Sequence, residues 1–248
     1  MRSRERTVLL GVTGSVAAFR AVDLASRLTK GGYRVDVVLT SGALQFVRSL
    51  SFEAVTHRSV YTDESPGVLA GRALHVELAE RAGVVVVAPA TADLIGRYAC
   101  GLAPDLLASL LLATAAPILF APAMNTRMWN HPAVRENVAL LEKRGARMIG
   151  PESGLLSCGT EGLGRLWPVD LLYAKIEELL PAASLSLNSS EDEVEEVTAS
   201  GRRPLSSPRE EGGGKEASEM TEKRKPVKKP TVRKSARNNK KGLAAKKK

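Results

Sequence analysis

The sequence predicts an α/β fold, a doubly wound and mostly parallel sheet, from three observations. Short apolar runs alternate with helical patterns throughout the first 180 residues, as in successive β-α-β units whose helices cover both faces of a parallel sheet. One run, Val84–Ala88, is β-branched almost throughout and has no polar break, the signature of a strand buried on both faces. Gly11, Gly14, Gly31, Gly32 and Gly145 stand where one kind of pattern gives way to the other, which is where turns and helix ends place glycine.

The elements follow in order. Thr7–Leu10 reads as the first strand and Val16–Leu28 as a helix with apolar residues at helical spacing. After the Gly31-Gly32 stop, Tyr33–Leu39 is the second strand. A polar, Gly-containing loop at Asp63–Arg72 leads to LHVELAE and then to Val84–Ala88. Leu94–Ala99 and Leu106–Ala113 are helical, the latter opened by Pro104-Asp105. Ile118–Phe120 is another strand, Ala133–Arg144 a helix ended by Gly145, Arg147–Ile149 a last strand and Leu171–Leu180 the closing helix. Leu106–Met124 carries no charge over 19 residues, but Pro117 and Pro122 interrupt it. A helix followed by a buried strand is expected there, and no membrane span.

Composition divides the chain at about residue 183, into a folded domain at 1–183 and a tail at 184–248. The tail is rich in Ser, Glu, Lys, Gly and Pro and lacks aromatics, so it offers too little apolar surface to offset ordering entropy and is expected to be disordered. The net charge of +9 belongs mostly to its end, where residues 221–248 hold 13 Lys/Arg against one acid. Weak, salt-sensitive, non-specific polyanion binding is expected of that stretch. It has no aromatic residue for base stacking. The two cysteines, Cys100 and Cys158, and the lack of a long apolar run after Met1–Arg6 suit a reducing cytoplasm. Cys100, in a helical stretch, is expected to be a small packed hydrophobe.

Chemistry-bearing motifs fall where predicted strands end, the side of such a sheet that binds ligands. GVTGSVAA (Gly11–Ala18) joins the first strand to the first helix. Gly14 permits a tight turn, and Ser15 can cap a helix whose N-terminal amides face an anion. The loop is not GxGxxG, so a mononucleotide phosphate fits better than a nicotinamide dinucleotide. Thr40-Ser41 follows the second strand and could offer hydroxyls to the same phosphate. In APATADLIGRYACG, Thr91 or Asp93 can cap the next helix, while Ala92 and its neighbouring alanines leave room for a flat ring. His75 follows the polar loop. PAMNTRMW places Asn125, whose NH2 can hold a carboxylate, just past a strand. PESGLLSCGTEGLGR sets Cys158 among four glycines, a segment without packing of its own that could close over a substrate. Taken singly, each also fits a plainer role: an ordinary turn, a helix cap, a surface histidine, or a connector with an incidental cysteine.

In combination, the Gly14-Ser15 loop, His75, PAMNTRMW and the Cys158 segment resemble the flavin-dependent cysteine decarboxylases. The likeness spans about residues 6–180 and is nearest to the phosphopantothenoylcysteine decarboxylases of coenzyme A biosynthesis. The resemblance implies a Rossmann-like flavoprotein fold, FMN as cofactor, no metal, and a trimer or dodecamer with flavin at subunit contacts. It assigns Gly14, Ser15, Thr40, Thr91, Ala92 and Asp93 to the cofactor and Asn125 to the substrate carboxylate. His75 becomes a base or proton carrier, and Cys158 the donor of the proton that completes the reaction. FMN supplies the electron sink that loss of CO2 from a cysteine carboxylate requires. The implied substrate is 4′-phosphopantothenoylcysteine and the product 4′-phosphopantetheine. The remaining 68 residues are expected to be too few and too polar for a synthetase domain, so a monofunctional lyase is expected. Relatives that decarboxylate a peptide's C-terminal cysteine, and non-catalytic flavin-binding regulators, are the alternatives. Flavin prenyltransferases share the fold but lack the PxMN segment paired with a cysteine flap. Two departures from the family pattern, Ser157 for Ala and Asp93 for Asn, remove no reactive group.

Overall fold

The computed structural model describes residues 6–157 and 159–180. All lie in the first of two units of the chain, Met1–Ser189; the second is Ser190–Lys248. The tail predicted for 184–248 lies outside the described residues.

In the first half of the domain, β1 (Thr7–Val12), α1 (Ala18–Lys30) and β2 (Arg34–Leu39) are followed by a 3-10 turn (Ala43–Gln45), α2 (Ser49–Thr56) and β3 (Val60–Tyr61). A small hairpin, β4 (Val68–Leu69) and β5 (Arg72–Ala73), leads into α3 (Leu74–Arg81) and β6 (Val84–Ala90). Then come α4 (Ala92–Ala99), α5 (Leu106–Ala113), β7 (Ile118–Pro122), α6 (Thr126–Trp129), α7 (Pro132–Lys143) and β8 (Arg147–Met148). A second hairpin, β9 (Glu152–Leu155) and β10 (Glu161–Arg165), precedes the closing helix α8 (Val169–Leu179).

Six strands form one sheet in the order β3-β2-β1-β6-β7-β8, and every neighbouring pair is parallel. This is the predicted doubly wound architecture. Side chains alternate between its faces. Val8, Leu10, Val12, Val84, Val86 and Ala88 join one core with α1 and α8. Leu9, Val85, Val87 and Phe120 join the other, with residues of α3, α4, α5 and α7. Both faces of β6 are therefore dry, which is why its sequence has no polar alternation. No described helix is long and apolar enough to cross a membrane. The uncharged stretch at 106–124 is α5 and β7, as expected.

Three differences from the sequence reading have local causes. Helix α1 begins at Ala18, two residues beyond the expected Val16. Ser15 accepts from Ala17 N–H with its hydroxyl (3.3 Å) and from Ala18 N–H with its carbonyl (2.9 Å), which holds residues 16–17 in a turn. Cys100 is exposed, because it caps the C-terminus of α4 and does not continue it as a packed residue. The Gly-rich segment after Pro151 is the β9–β10 hairpin, paired antiparallel with Gly162 opposite Gly154. It docks through its backbone: Met124 N–H donates to Gly164 C=O at 3.0 Å. A Cβ on Gly162 would stand 2.5 Å from Thr126 Oγ1, and one on Gly164 would collide with the Met124 carbonyl oxygen.

Asp36 on β2 is 1% exposed, and its Oδ1 accepts from Arg58 Nε (2.7 Å) and lies 2.6 Å from Arg58 Nη2. Oδ2 has no partner among the described residues. The pair ties the chain after α2 to the sheet just before edge strand β3, and losing one partner would strand a buried charge.

Candidate active site

At the carboxyl ends of β1, β2, β6 and β7 the exit loops lie side by side. The strand order reverses between β1 and β6, the switch point at which open α/β sheets hold ligands. A cavity of about 580 Å³ opens at this end, lined among others by Ser15, Met124, Asn125, Ser157, Arg165 and Trp167. Small-molecule and cofactor sites span about 300–1,000 Å³, so its size is suitable. Four separate pieces of chain build the wall: the β1–α1 turn, the segment after β7, the hairpin, and the stretch leading into α8.

Each piece is fixed by its own local chemistry. Gly14 packs on the backbone of Gly42, where a Cβ would stand 2.9 Å from the Gly42 carbonyl carbon, so the turns after β1 and β2 can touch only because Gly14 has no side chain. Ser15 accepts from Ala17 N–H, which leaves a hydroxyl hydrogen to give. Asn125 is the N-cap of α6, its Oδ1 accepting from Arg127 N–H at 2.8 Å. Capping commits the oxygen end, so a hydrogen bond from this side chain to a carboxylate is donated by the NH2. Trp167 lines the cavity, and its indole N–H, buried beneath the surface, has no partner among the described residues.

Charged side chains also line the cavity. Arg27 is held between Asp23 and Asp170, and its guanidinium is raised from the ordinary value chiefly by the hydrogen bond it donates to Asp23, then by that carboxylate's charge. Arg20, over the ring of Phe19, and Arg165, 3.7 Å from Glu152, also line the cavity. Among the described residues Arg20 has no ion pair.

The remaining predicted residues are placed less simply. Thr40 is buried; its hydroxyl donates to Val12 C=O (3.3 Å) and accepts from Ala43 N–H (3.2 Å). Its hydrogen is thus committed to the backbone. Thr91 caps α4, accepting from Leu94 N–H at 3.5 Å, and Ala92 is the first residue of that helix. Asp93 pairs with Arg97 at 2.8 Å with its side chain 70% exposed. Burial alone would lower Arg97, but Asp93 and Asp105 outweigh it and raise the guanidinium. His75 lies half-buried in the first turn of α3 and is not part of the cavity lining. Cys158 lies outside the described residues, but Leu156 and Ser157 just before it line the cavity. The structure thus brings together Ser15, Asn125 and the approach to Cys158.

A flavoprotein-family profile matches residues 1–180. The chain belongs to the flavoprotein family. This flavoprotein is 39% identical over 181 residues to a probable phosphopantothenoylcysteine decarboxylase of Streptococcus mutans, a match covering 71% of this chain and 99% of the relative. Among solved structures, it is similar to a PPC decarboxylase cysteine-to-serine mutant complexed with pantothenoylaminoethenethiol (TM-score 0.65, 33% identity, 69% of this chain and 96% of that one). It is also similar to the FMN-dependent cysteine decarboxylase SpaF (TM-score 0.61, 31% identity, 70% and 94% covered). The flavoprotein spans about 40% of the length of the bifunctional coenzyme A biosynthesis protein CoaBC of Bacillus subtilis, to which it is 43% identical over 165 residues.

Reading the sequence alone misses two residues of this site. Thr13 is 2% exposed and bridges the turns after β1 and β6; a hydroxyl directly after an apolar strand is the signal that could have singled it out. Trp167 carries no such signal. A second cavity, of about 530 Å³, lies at the opposite end of the sheet and includes Arg144. Arg144 donates to Ala99 C=O at 2.6 Å, which explains its charge as capping of the α4 C-terminus.

Proposed function

We propose that this flavoprotein is an FMN-dependent lyase that decarboxylates 4′-phosphopantothenoylcysteine to 4′-phosphopantetheine. The observation that carries the reading is the cavity shared by Ser15, Asn125 and the residues leading to Cys158. Its size, the close Gly14–Gly42 contact and the Ser15 hydroxyl fit a flavin mononucleotide. Bound there, FMN would supply a reversible two-electron acceptor for the thiol-bearing carbon of the substrate.

The chain's own residues do the rest. Gly14 and Ser15 hold the phosphate end of the cofactor, and Thr40, Thr91, Ala92 and Asp93 shape its surroundings, the two threonines through the loops their hydroxyls brace. Asn125 NH2 donates to the substrate carboxylate and so orients the bond that breaks. Oxidation at the neighbouring carbon sets the carboxylate β to a C=S group, from which CO2 departs readily. His75 carries a proton near the thiol. Cys158 donates the proton that completes reduction of the resulting enethiol, a role suited to a thiol, whose pKa can be tuned toward neutrality. Arg20, which lines the cavity and has no ion pair among the described residues, offers a cation that suits a phosphorylated substrate better than a neutral peptide. A homo-oligomer, trimer or dodecamer, with a neighbouring copy closing the site, accounts for His75 lying off the single-chain lining and for the exposed Val16 and Phe19 beside the cavity (50% and 58%).

The test is purified protein reconstituted with FMN, comparing wild type with Asn125→Asp. A carboxylate facing a carboxylate should raise KM at least about tenfold, the effect of roughly 1.4 kcal/mol of lost binding, with flavin absorbance unchanged. An Asn125→Asp variant that turns over like wild type contradicts the role given to Asn125.

A further inference from the structure

We propose that Thr13 is a positioning residue of the flavin site: its hydroxyl clamps the turn after β1 to the turn after β6 across the point where the strand order reverses. The proposal rests on the flavin reading above. Backbone pairing of β1 with β6 runs from Val8–Val84 to Gly11–Val87. It stops as β6 reaches Pro89, which has no N–H to give. Thr13 takes over there. Its Oγ1 donates to Pro89 C=O at 2.7 Å and accepts from Thr91 N–H at 3.1 Å, and the residue is 2% exposed. A single hydroxyl thus replaces two missing ladder bonds.

The position of this clamp matters because of what flanks it. On the β2 side, Val12 C=O accepts from both Thr40 N–H (3.1 Å) and Thr40 Oγ1 (3.3 Å). On the β7 side, Ala123 N–H donates to Ala90 C=O at 3.1 Å, two residues before Asn125. Together with the Thr13 bonds these links form a belt across the carboxyl ends of four strands. Immediately beyond Thr13 lies the Gly14-Ser15 turn, and Ser15 N–H donates back to Thr13 C=O at 2.9 Å. Immediately beyond its β6 partners lies α4, capped by Thr91. Thr13 therefore sets the distance between the turn that would hold a flavin phosphate and the helix that would flank the ring. The task needs one donor and one acceptor on a single short-branched atom, which serine also provides and valine does not.

Three variants test this: Thr13→Ser, Thr13→Cys and Thr13→Val. Two readouts are taken, amide hydrogen exchange at Thr91 in flavin-free protein and the Kd for FMN by fluorescence titration. Thr13→Ser should match wild type within about threefold in both. Thr13→Val leaves Thr91 N–H and Pro89 C=O buried without partners, which should speed Thr91 exchange and weaken FMN binding by about tenfold or more. Thr13→Cys, whose thiol is a weaker donor and acceptor, should fall between them, and it carries the test by itself if the valine variant does not fold. Thr91 exchange and FMN affinity that both stay at wild-type values in the cysteine and valine variants overturn the proposal. Faster exchange with unaltered FMN affinity also overturns it, because the clamp would then be structural only. Wild-type protein that binds no FMN removes the flavin reading and this proposal with it, and is told apart by the wild-type titration alone.

Discussion

Replacing Gly164 by alanine asks how the β9–β10 hairpin is held over the site. Gly164 has φ +155, and its C=O accepts from Met124 N–H at 3.0 Å. An added Cβ would collide with the Met124 carbonyl oxygen, so β10 must lift away from residues 124–126. Lifting breaks that hydrogen bond, a net loss of about 0.5–1.5 kcal/mol. An alanine kept at this φ carries strain of about 1–3 kcal/mol. The two together weaken docking by about 1.5–4.5 kcal/mol, which corresponds to at least roughly tenfold more frequent opening. Hydrogen exchange at the Met124 amide reads this directly, because exchange follows the local opening equilibrium. Since the same hairpin carries Ser157 to the cavity wall, KM for the carboxylate substrate should rise as well. Met124 exchange within about threefold of wild type, well short of what even about 1.5 kcal/mol gives, would refute the claim that backbone contact at Gly164 docks the hairpin.

Other perturbations probe the frame and the tail. Asp36→Asn leaves Arg58 without its buried carboxylate; Arg58 is 25% exposed and partly resolvated, so the loss should be about 3 kcal/mol, near the lower end for broken buried pairs. At about 2–4 °C per kcal/mol, thermal unfolding should drop by about 6–12 °C. Gly11→Ala would set a Cβ 2.6 Å from a Leu107 methyl, an overpacking expected to cost about 1–3 kcal/mol in a urea melt. Tyr33 and Tyr173 are both raised, first by burial and then by hydrogen bonding to Glu177. Raised phenols stabilise the fold below the ordinary tyrosine value of about 10, and this is lost as pH rises through the higher folded values. Stability should therefore fall above about pH 10, and Tyr33→Phe should flatten that fall. Removing residues 184–248 should leave CO2 release unchanged and abolish any salt-sensitive retention on a polyanion column.

How much of this was legible in the sequence depended on the length and regularity of each element. Leu106–Ala113 was found with both ends because Pro104-Asp105 marks its start, and Asp105 does cap it, accepting from Ala108 N–H at 2.8 Å. Strand β6 was legible because burial on both faces leaves nothing polar in it. The stretch from Ala43 to Ala73 was not, since it holds a single 3-10 turn, an eight-residue helix and strands of two residues, too short for a period to register. The Gly-rich hairpin escaped for another reason. Its contacts are made by backbone on backbone, and glycine reports only that space is tight. At the site, Ser15 and Asn125 were legible from their places after strands. Thr13 was not, because what it does depends on Pro89 and Thr91, which only the fold brings within hydrogen-bonding reach.

Decarboxylation itself is read by incubating the purified, FMN-reconstituted protein with 4′-phosphopantothenoylcysteine and measuring CO2 and the product mass. One CO2 per substrate consumed is expected, with 4′-phosphopantetheine as product and a Cys158→Ser variant that releases CO2 but stops at the product lacking two hydrogens. A protein that binds FMN but releases no CO2 from this substrate would contradict the proposed reaction.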